Sequence, residues 1–155
     1  IAYAMSKTAS IASSAGMSFE NTAAFLTNMI ETTQEAPENI GTAMKTIIAR
    51  FTELKENVSA ADSEFDDLDY NKVDKALKSV GINLKDTNGQ FRNLDDVFLE
   101  LSSKWSTLDR NTQRYIATTA AGSRQQSRFI AMMEDYGRTM ELVETAQNSA
   151  GRSEE

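Results

Sequence analysis

The sequence predicts a mainly α-helical fold, a multi-helix bundle of short to medium helices with one small β-hairpin at about residues 82–94. Three observations predict it. Proline occurs once in 155 residues, at Pro37, so little interrupts an i→i−4 hydrogen-bond ladder. Apolar residues recur in steps of 4 and 3 along most of the chain, the period of a helix with one buried face. The period switches to 2 only around Asp86-Thr87-Asn88-Gly89.

The elements follow in order. Tyr3 to Ala15 is rich in Ala and Ser, and Gly16 is placed to stop it as a C′ glycine. Ser18 is the expected N-cap of a second helix running to about Ala36, with Thr22, Phe25, Leu26, Met29, Ile30 and Thr33 on its apolar face. Pro37 ends it. A third helix, from Glu38 or Gly41 to Val58, carries Ile40, Met44, Ile47, Phe51, Leu54 and Val58 in an a/d seam. Such a seam serves equally as the core-facing stripe of one chain or as a contact between copies. Residues 59–69 are acidic and read as a loop. Tyr70 to Val80 is a short helix closed by Gly81.

Ile82-Asn83-Leu84-Lys85 and Gln90-Phe91-Arg92-Asn93-Leu94 alternate apolar and polar around an Asn-Gly turn, and so predict the hairpin, packed on the helices through Ile82, Leu84 and Phe91. Leu94 to Trp105 is amphipathic, with Asp95 and Asp96 suited to the positive end of its dipole. Asp109 caps a helix to Ala121 with Tyr115 and Ile116 inward, and Gly122 stops it. Ser123-Arg124-Gln125-Gln126 has the spacing of a capping box and opens a long helix carrying a second seam of Phe129, Met133, Tyr136, Met140 and Val143. Gly137 weakens that helix slightly. The organisation expected is N-terminal helices over 1–58, the acidic loop at 59–69, and the remaining helices and hairpin over 70–150, as one compact segment. The termini, starting at Ile1-Ala2-Tyr3, read as interior cuts of a longer chain.

Composition narrows the chemistry. There is no cysteine and no histidine, so neither a thiolate metal site nor a Ser-His-Asp or Cys-His catalytic site can be built from this chain alone. A net charge of −7 makes it a poor ligand for duplex DNA, and no specific nucleic-acid binding is expected. The charge is uneven. Seven acids between Glu53 and Asp69 face Lys55 alone, whereas Lys104 to Arg138 holds six basic residues against Asp109, Glu134 and Asp135, so one stretch could face the other. No apolar run approaches the roughly 20 residues that cross a bilayer.

Two stretches invite a Ca²⁺ reading and fail it. Asp62, Glu64 and Asp66 alternate but lack the glycine and the closing Glu of a binding loop. Asp86-Thr87-Asn88-Gly89 is preceded two positions earlier by Leu84, which cannot ligate. Glu31, Glu35 and Glu100 read as solvated helical carboxylates and not as a glycosidase pair. Trp105 reads as core, and the methionines as gap-fillers or, less simply, as an adaptable groove. No catalytic residue, no cofactor and no metal ligand is expected.

The order of several pieces carries a resemblance. Asn39-Ile40-Gly41-Thr42-Ala43-Met44-Lys45 opens the seam helix; then come Val80-Gly81-Ile82, Asp86-Thr87-Asn88-Gly89-Gln90-Phe91-Arg92, Leu94-Asp95-Asp96-Val97-Phe98 and Ala121-Gly122-Ser123-Arg124-Gln125. Over residues 3–140 the chain resembles the core region of tail tape-measure proteins of long-tailed bacteriophages. The resemblance implies a structural virion protein of the tail lumen or tip, present in the host cytoplasm during assembly. It implies roles in tail assembly, tail length determination and genome ejection. The partners it implies are other copies of itself, as a trimer or hexamer, with tail tube and tail-tip or baseplate proteins and tail assembly chaperones. No catalytic residue carries over. Two other classes compete: a helical secreted toxin, effector or non-catalytic interaction module, and a muralytic domain of the kind some tape-measure proteins carry elsewhere.

Overall fold

A computed structural model describes residues 1–52 and 70–153. Seven helices appear among them: α1 (Ala2–Ser14), α2 (Phe19–Thr33), α3 (Pro37–Thr52), α4 (Tyr70–Lys78), α5 (Leu94–Trp105), α6 (Arg110–Met133) and α7 (Tyr136–Ser153). The acidic stretch 59–69 and the seam positions Leu54 and Val58 lie outside the described residues.

Local chemistry sets the boundaries. α1 ends in a Schellman motif: the Met17 N–H donates to the Ala12 carbonyl at 2.9 Å and the Gly16 N–H to Ser13 at 3.0 Å. Gly16 sits at φ +80°, and a Cβ there would collide with the Asn93 side chain. Ser18 caps α2, its hydroxyl accepting from the Asn21 N–H at 3.0 Å. α2 closes on Gln34 in the left-handed region, φ 59°. Pro37 is the first residue of α3, where its missing N–H leaves no bond unmade. Asp109 caps α6 through the Thr112 N–H at 2.7 Å.

Two expectations about backbone fail. Residues 82–94 form no strands, only one isolated antiparallel bridge between Lys85 and Phe91. The reason is local competition for the backbone. The Asp86 carboxylate accepts from the N–H groups of Asn88 (2.8 Å) and Gln90 (3.0 Å), which winds the turn tightly. Beyond the turn, Arg92 N–H still reaches the Leu84 carbonyl at 2.9 Å, but Leu94 N–H donates to Ala15 at the end of α1. The ladder therefore stops where α5 begins. Ile82 and Leu84 are buried as expected, whereas Phe91 stays 43% exposed under the Lys85 ammonium.

The second failure concerns the C-terminal helix. Gly122, at φ 82° and ψ 166°, kinks α6 where a stop was expected. The long helix expected from Ser123 through Val143 instead ends at Met133. The chain turns at Glu134 and Asp135, the latter at φ 60°, an excursion that Asp tolerates better than most residues. Asp135 then accepts from the Arg138 N–H at 3.2 Å and so starts α7. At the predicted capping box, Gln126 Oε1 accepts from the Thr118 hydroxyl at 3.1 Å, across the kink. Tyr115, expected inward, is exposed.

α1 packs chiefly on α3, α3 on α6, and α2 against both α6 and α7. The centre is aromatic. Phe98 meets Phe25 at 5.7 Å and Phe51 at 5.0 Å, both edge-to-face, and Phe129 lies 6.1 Å from Phe51 and 6.0 Å from Trp105. These contacts tie α2, α3, α5 and α6 together, each pair worth about 0.5–1.5 kcal/mol beyond its burial.

Candidate functional site

The described part of the first seam is consumed by the chain's own core. Ile40, Met44, Ile47 and Phe51 are all fully buried against neighbouring helices. The second seam divides at the corner. Phe129 and Met133, before it, are fully buried, and Val143 nearly so, while Tyr136 is 38% and Met140 36% exposed. The corner rotates α7, so the residue facing inward between them is Thr139. Of the eleven seam positions, Tyr136 and Met140 are the described ones left at the surface.

That corner is held by polar contacts that no apolar period announces. Ser102 Oγ on α5 donates to the Met133 carbonyl at 2.7 Å, and Asn28 Nδ2 on α2 donates to the carbonyls of Ala131 (3.1 Å) and Glu134 (3.2 Å). Together they satisfy carbonyls that the end of a helix leaves without intrahelical partners. At the opposite end of the body Asp95, nearly buried, accepts at one oxygen from Ser18 N–H and Asn21 Nδ2, both at 2.9 Å. Its role is to clamp the start of α2 to the start of α5, beyond the dipole role read from sequence.

The basic stretch finds partners on α2 and just beyond its end. Arg128 grips Glu35 through two bonds, at 2.8 and 2.5 Å, and Arg138 grips Glu31 at 3.1 and 2.9 Å. Hydrogen bonds from the guanidinium groups hold the Glu35 and Glu31 carboxyls below their ordinary range. The acidic stretch expected to face these basic residues lies outside the described residues.

Beside the corner lies a groove of about 560 Å³ between the end of α5 and the start of α7. Ser102, Trp105, Gln113, Met133, Glu134 and Gly137 line it, with Tyr136 at its edge. Gln113 Nε2 donates to the Trp105 carbonyl at 2.7 Å, fixing one wall. Trp105 is core, 3% exposed, as its spacing predicts, yet it also forms this wall. Gly137 was legible only as a residue that weakens a helix, and Glu134–Asp135 gave no sign of a corner, because the seam spacing runs through them unbroken. Among the described residues no group of acidic side chains is arranged to hold a metal ion, and no helix is long and apolar enough to cross a membrane. One carboxylate oxygen of Asp86, Oδ1, accepts two N–H groups of its own turn.

No solved structure matches the chain. The model of one family, described as phage-related minor tail protein, matches residues 1–122, from α1 to the kink in α6. That match covers more than three quarters of the sequence and takes in every element of the resemblance up to Gly122. The chain belongs to the phage-related minor tail protein family, whose role is structural, in the phage tail of the virion.

Proposed function

We propose that the chain is a folded segment of a tail tape-measure protein, acting in tail assembly, tail length determination and genome ejection. The observation that carries this reading is the ordered run of pieces from Asn39-Ile40-Gly41 to Ala121-Gly122-Ser123, all but its last residues inside the span matched by the minor tail family. The segment works by packing and without catalysis, cofactor or metal. Its helices carry no histidine or cysteine, and its acidic residues at 31 and 35 are committed to arginines. It sits in the tail lumen or tip. Its partners there are tail tube and tail-tip or baseplate proteins, with assembly chaperones in the host cytoplasm beforehand. Further copies of itself, three or six, complete the set. Since the first seam is internal, such copies meet through surfaces other than Ile40 to Phe51.

The test is genetic and direct. An in-frame duplication in the parent gene, applied to the residues flanking this segment, is expected to lengthen tails in micrographs in proportion to the residues added, by at most about 1.5 Å per residue if they run as helix. Tails of unchanged length would remove the length-determining role and leave a minor tail protein of another kind. Peptidoglycan hydrolysis by the purified chain would remove the non-catalytic reading.

A further inference from the structure

The turn between Leu84 and Arg92 holds the one asparagine of the chain that a glycine follows, Asn88 before Gly89. That pair suits a reaction in which a backbone amide attacks the side chain preceding it. Glycine carries no Cβ to crowd the approach. Asn88 and Gly89 are both exposed, and a Cβ built on Gly89 would meet nothing within 4 Å. The other described asparagines are placed against such a reaction. Asn21, Asn28, Asn39, Asn71, Asn111 and Asn148 lie inside helices, whose fixed backbone keeps the following amide from the side chain. Asn83 and Asn93 each precede a leucine.

The turn also supplies a restraint. Gly89 N–H donates to the Asp86 carbonyl at 3.1 Å, and Asp86 Oδ1 accepts from the N–H groups on either side, of Asn88 at 2.8 Å and of Gln90 at 3.0 Å. The Gly89 nitrogen becomes a nucleophile only when it gives up that bond and its proton, so the turn must open before it can reach Asn88 Cγ. We propose that Asn88 is a site of spontaneous deamidation whose rate the Asp86 carboxylate restrains. The Gly89 nitrogen, its proton lost to solvent, bonds to Asn88 Cγ; the Cγ–Nδ2 bond breaks, and ammonia leaves with a proton taken from water. Water then opens the cyclic imide. Attack at the Asn88 main-chain carbonyl gives isoaspartate, and attack at Cγ gives aspartate. Either product adds one negative charge to a chain that carries −7. Isoaspartate also lengthens the main chain by one carbon, so the spacing that lets Asp86 hold both N–H groups is lost. The link between the buried Leu84 and the start of α5 is then loosened. A virion protein is not replaced after assembly, so an irreversible step of this kind accumulates as the particle ages. The chemistry belongs to the turn and is the same whichever tail protein contains the chain.

Trypsin cuts after Lys85 and Arg92, so residues 86–92 leave the full 155-residue chain as one peptide in which Asn88 is the sole asparagine. The folded chain is aged at mildly alkaline pH and sampled by peptide mass mapping, beside a capped synthetic peptide of residues 86–92. In the chain, this peptide is expected to gain about 1 Da with time, mostly as isoaspartate, before any other asparagine-bearing peptide changes. The free peptide, which lacks the restraint of the fold, is expected to react about tenfold faster. Asp86→Ala is expected to keep the helical circular dichroism and to bring the rate in the chain up toward that of the free peptide, while the same substitution in the free peptide leaves its rate unchanged. An aged chain whose 86–92 peptide keeps its mass, another asparagine modified first, equal rates in chain and free peptide, or an Asp86→Ala chain no faster than the wild type would each overturn the proposal.

Discussion

The two apolar seams have the same spacing and different fates. In α3, Ile40, Met44, Ile47 and Phe51 step by 4, 3 and 4, and every one is buried. From α6 into α7, Phe129, Met133, Tyr136 and Met140 step by 4, 3 and 4, and the last two point outward. The difference is the corner at Glu134 and Asp135. A helical period predicts which residues share a face only while one helix runs unbroken. Once the chain turns, the phase resets, and α7 buries Thr139 in place of Tyr136 and Met140, while Val143 of the predicted seam stays buried. A seam read from sequence is therefore a statement about a backbone as much as about side chains.

The comparison can be broken at its centre. Phe98 touches both Phe25 and Phe51, so Phe98→Ala removes two edge-to-face contacts and leaves a cavity. It is expected to destabilise the chain by about 3–5 kcal/mol, read from denaturant unfolding followed by circular dichroism. Met140→Ala, at an equivalent seam position past the corner, is expected to change stability by no more than about 0.5 kcal/mol. Equal effects would mean that α7 keeps the phase of α6.

The corner itself is the next place to press. Asn28→Ala leaves the carbonyls of Ala131 and Glu134 without their side-chain donor, and is expected to destabilise by about 1–3 kcal/mol. If the corner is held by apolar packing alone, the loss will be far smaller.

Much of the fold was legible from residues that act locally. Gly16, Ser18 and Asp109 each end or start a helix as their sequence positions predict, whereas Pro37, read as ending the second helix, starts α3 after α2 has closed at Gln34, and Gly122, read as a stop, only kinks α6. The hairpin failed although its turn was recognised, because the Leu94 N–H had a better acceptor at Ala15, nearly eighty positions away in the chain. Asp95 binding Ser18, Asn28 binding Ala131 and Arg128 binding Glu35 are pairs of the same kind. Each residue is unremarkable where it stands in the sequence, and only the fold brings its partner near. The groove was hidden for a related reason: Trp105 satisfied a core pattern so completely that its second surface left no trace in the spacing.

The ion pairs that Glu31 on α2 and Glu35 just past its end make with the C-terminal helices sharpen the comparison through pH. Glu35 and Glu31 titrate below their ordinary value of 4.5 in the folded chain. A carboxyl whose folded pKa is depressed stabilises the fold above its unfolded pKa and loses that contribution as pH falls through the folded one. Stability is therefore expected to decline as pH drops from about 5 through 4.5 and below, and Glu35→Gln is expected to flatten part of that decline. Because both pairs are partly exposed, raised salt should weaken the effect. A decline unaltered in Glu35→Gln would place its origin elsewhere.

The smallest expected change has the opposite sign. Gly137→Ala should stabilise the free chain by roughly 0.5–1 kcal/mol, visible as a rise in Tm of a few degrees. A fall would mean that the glycine serves the fold after all.

The central claim is that the α3 seam closes inside a single chain and joins no copies together, and Phe51→Asp tests it most directly. Phe51 is fully buried, stacked on Phe129 and edge-on to Phe98, so the substitution places an unpaired charge in the core. Circular dichroism and light scattering on the variant give the answer together. The account predicts loss of helical signal and of cooperative unfolding in the variant, because each chain's fold depends on its own α3 seam whatever copies meet through other surfaces. A variant that stays fully helical while a wild-type oligomer falls apart into subunits would contradict it.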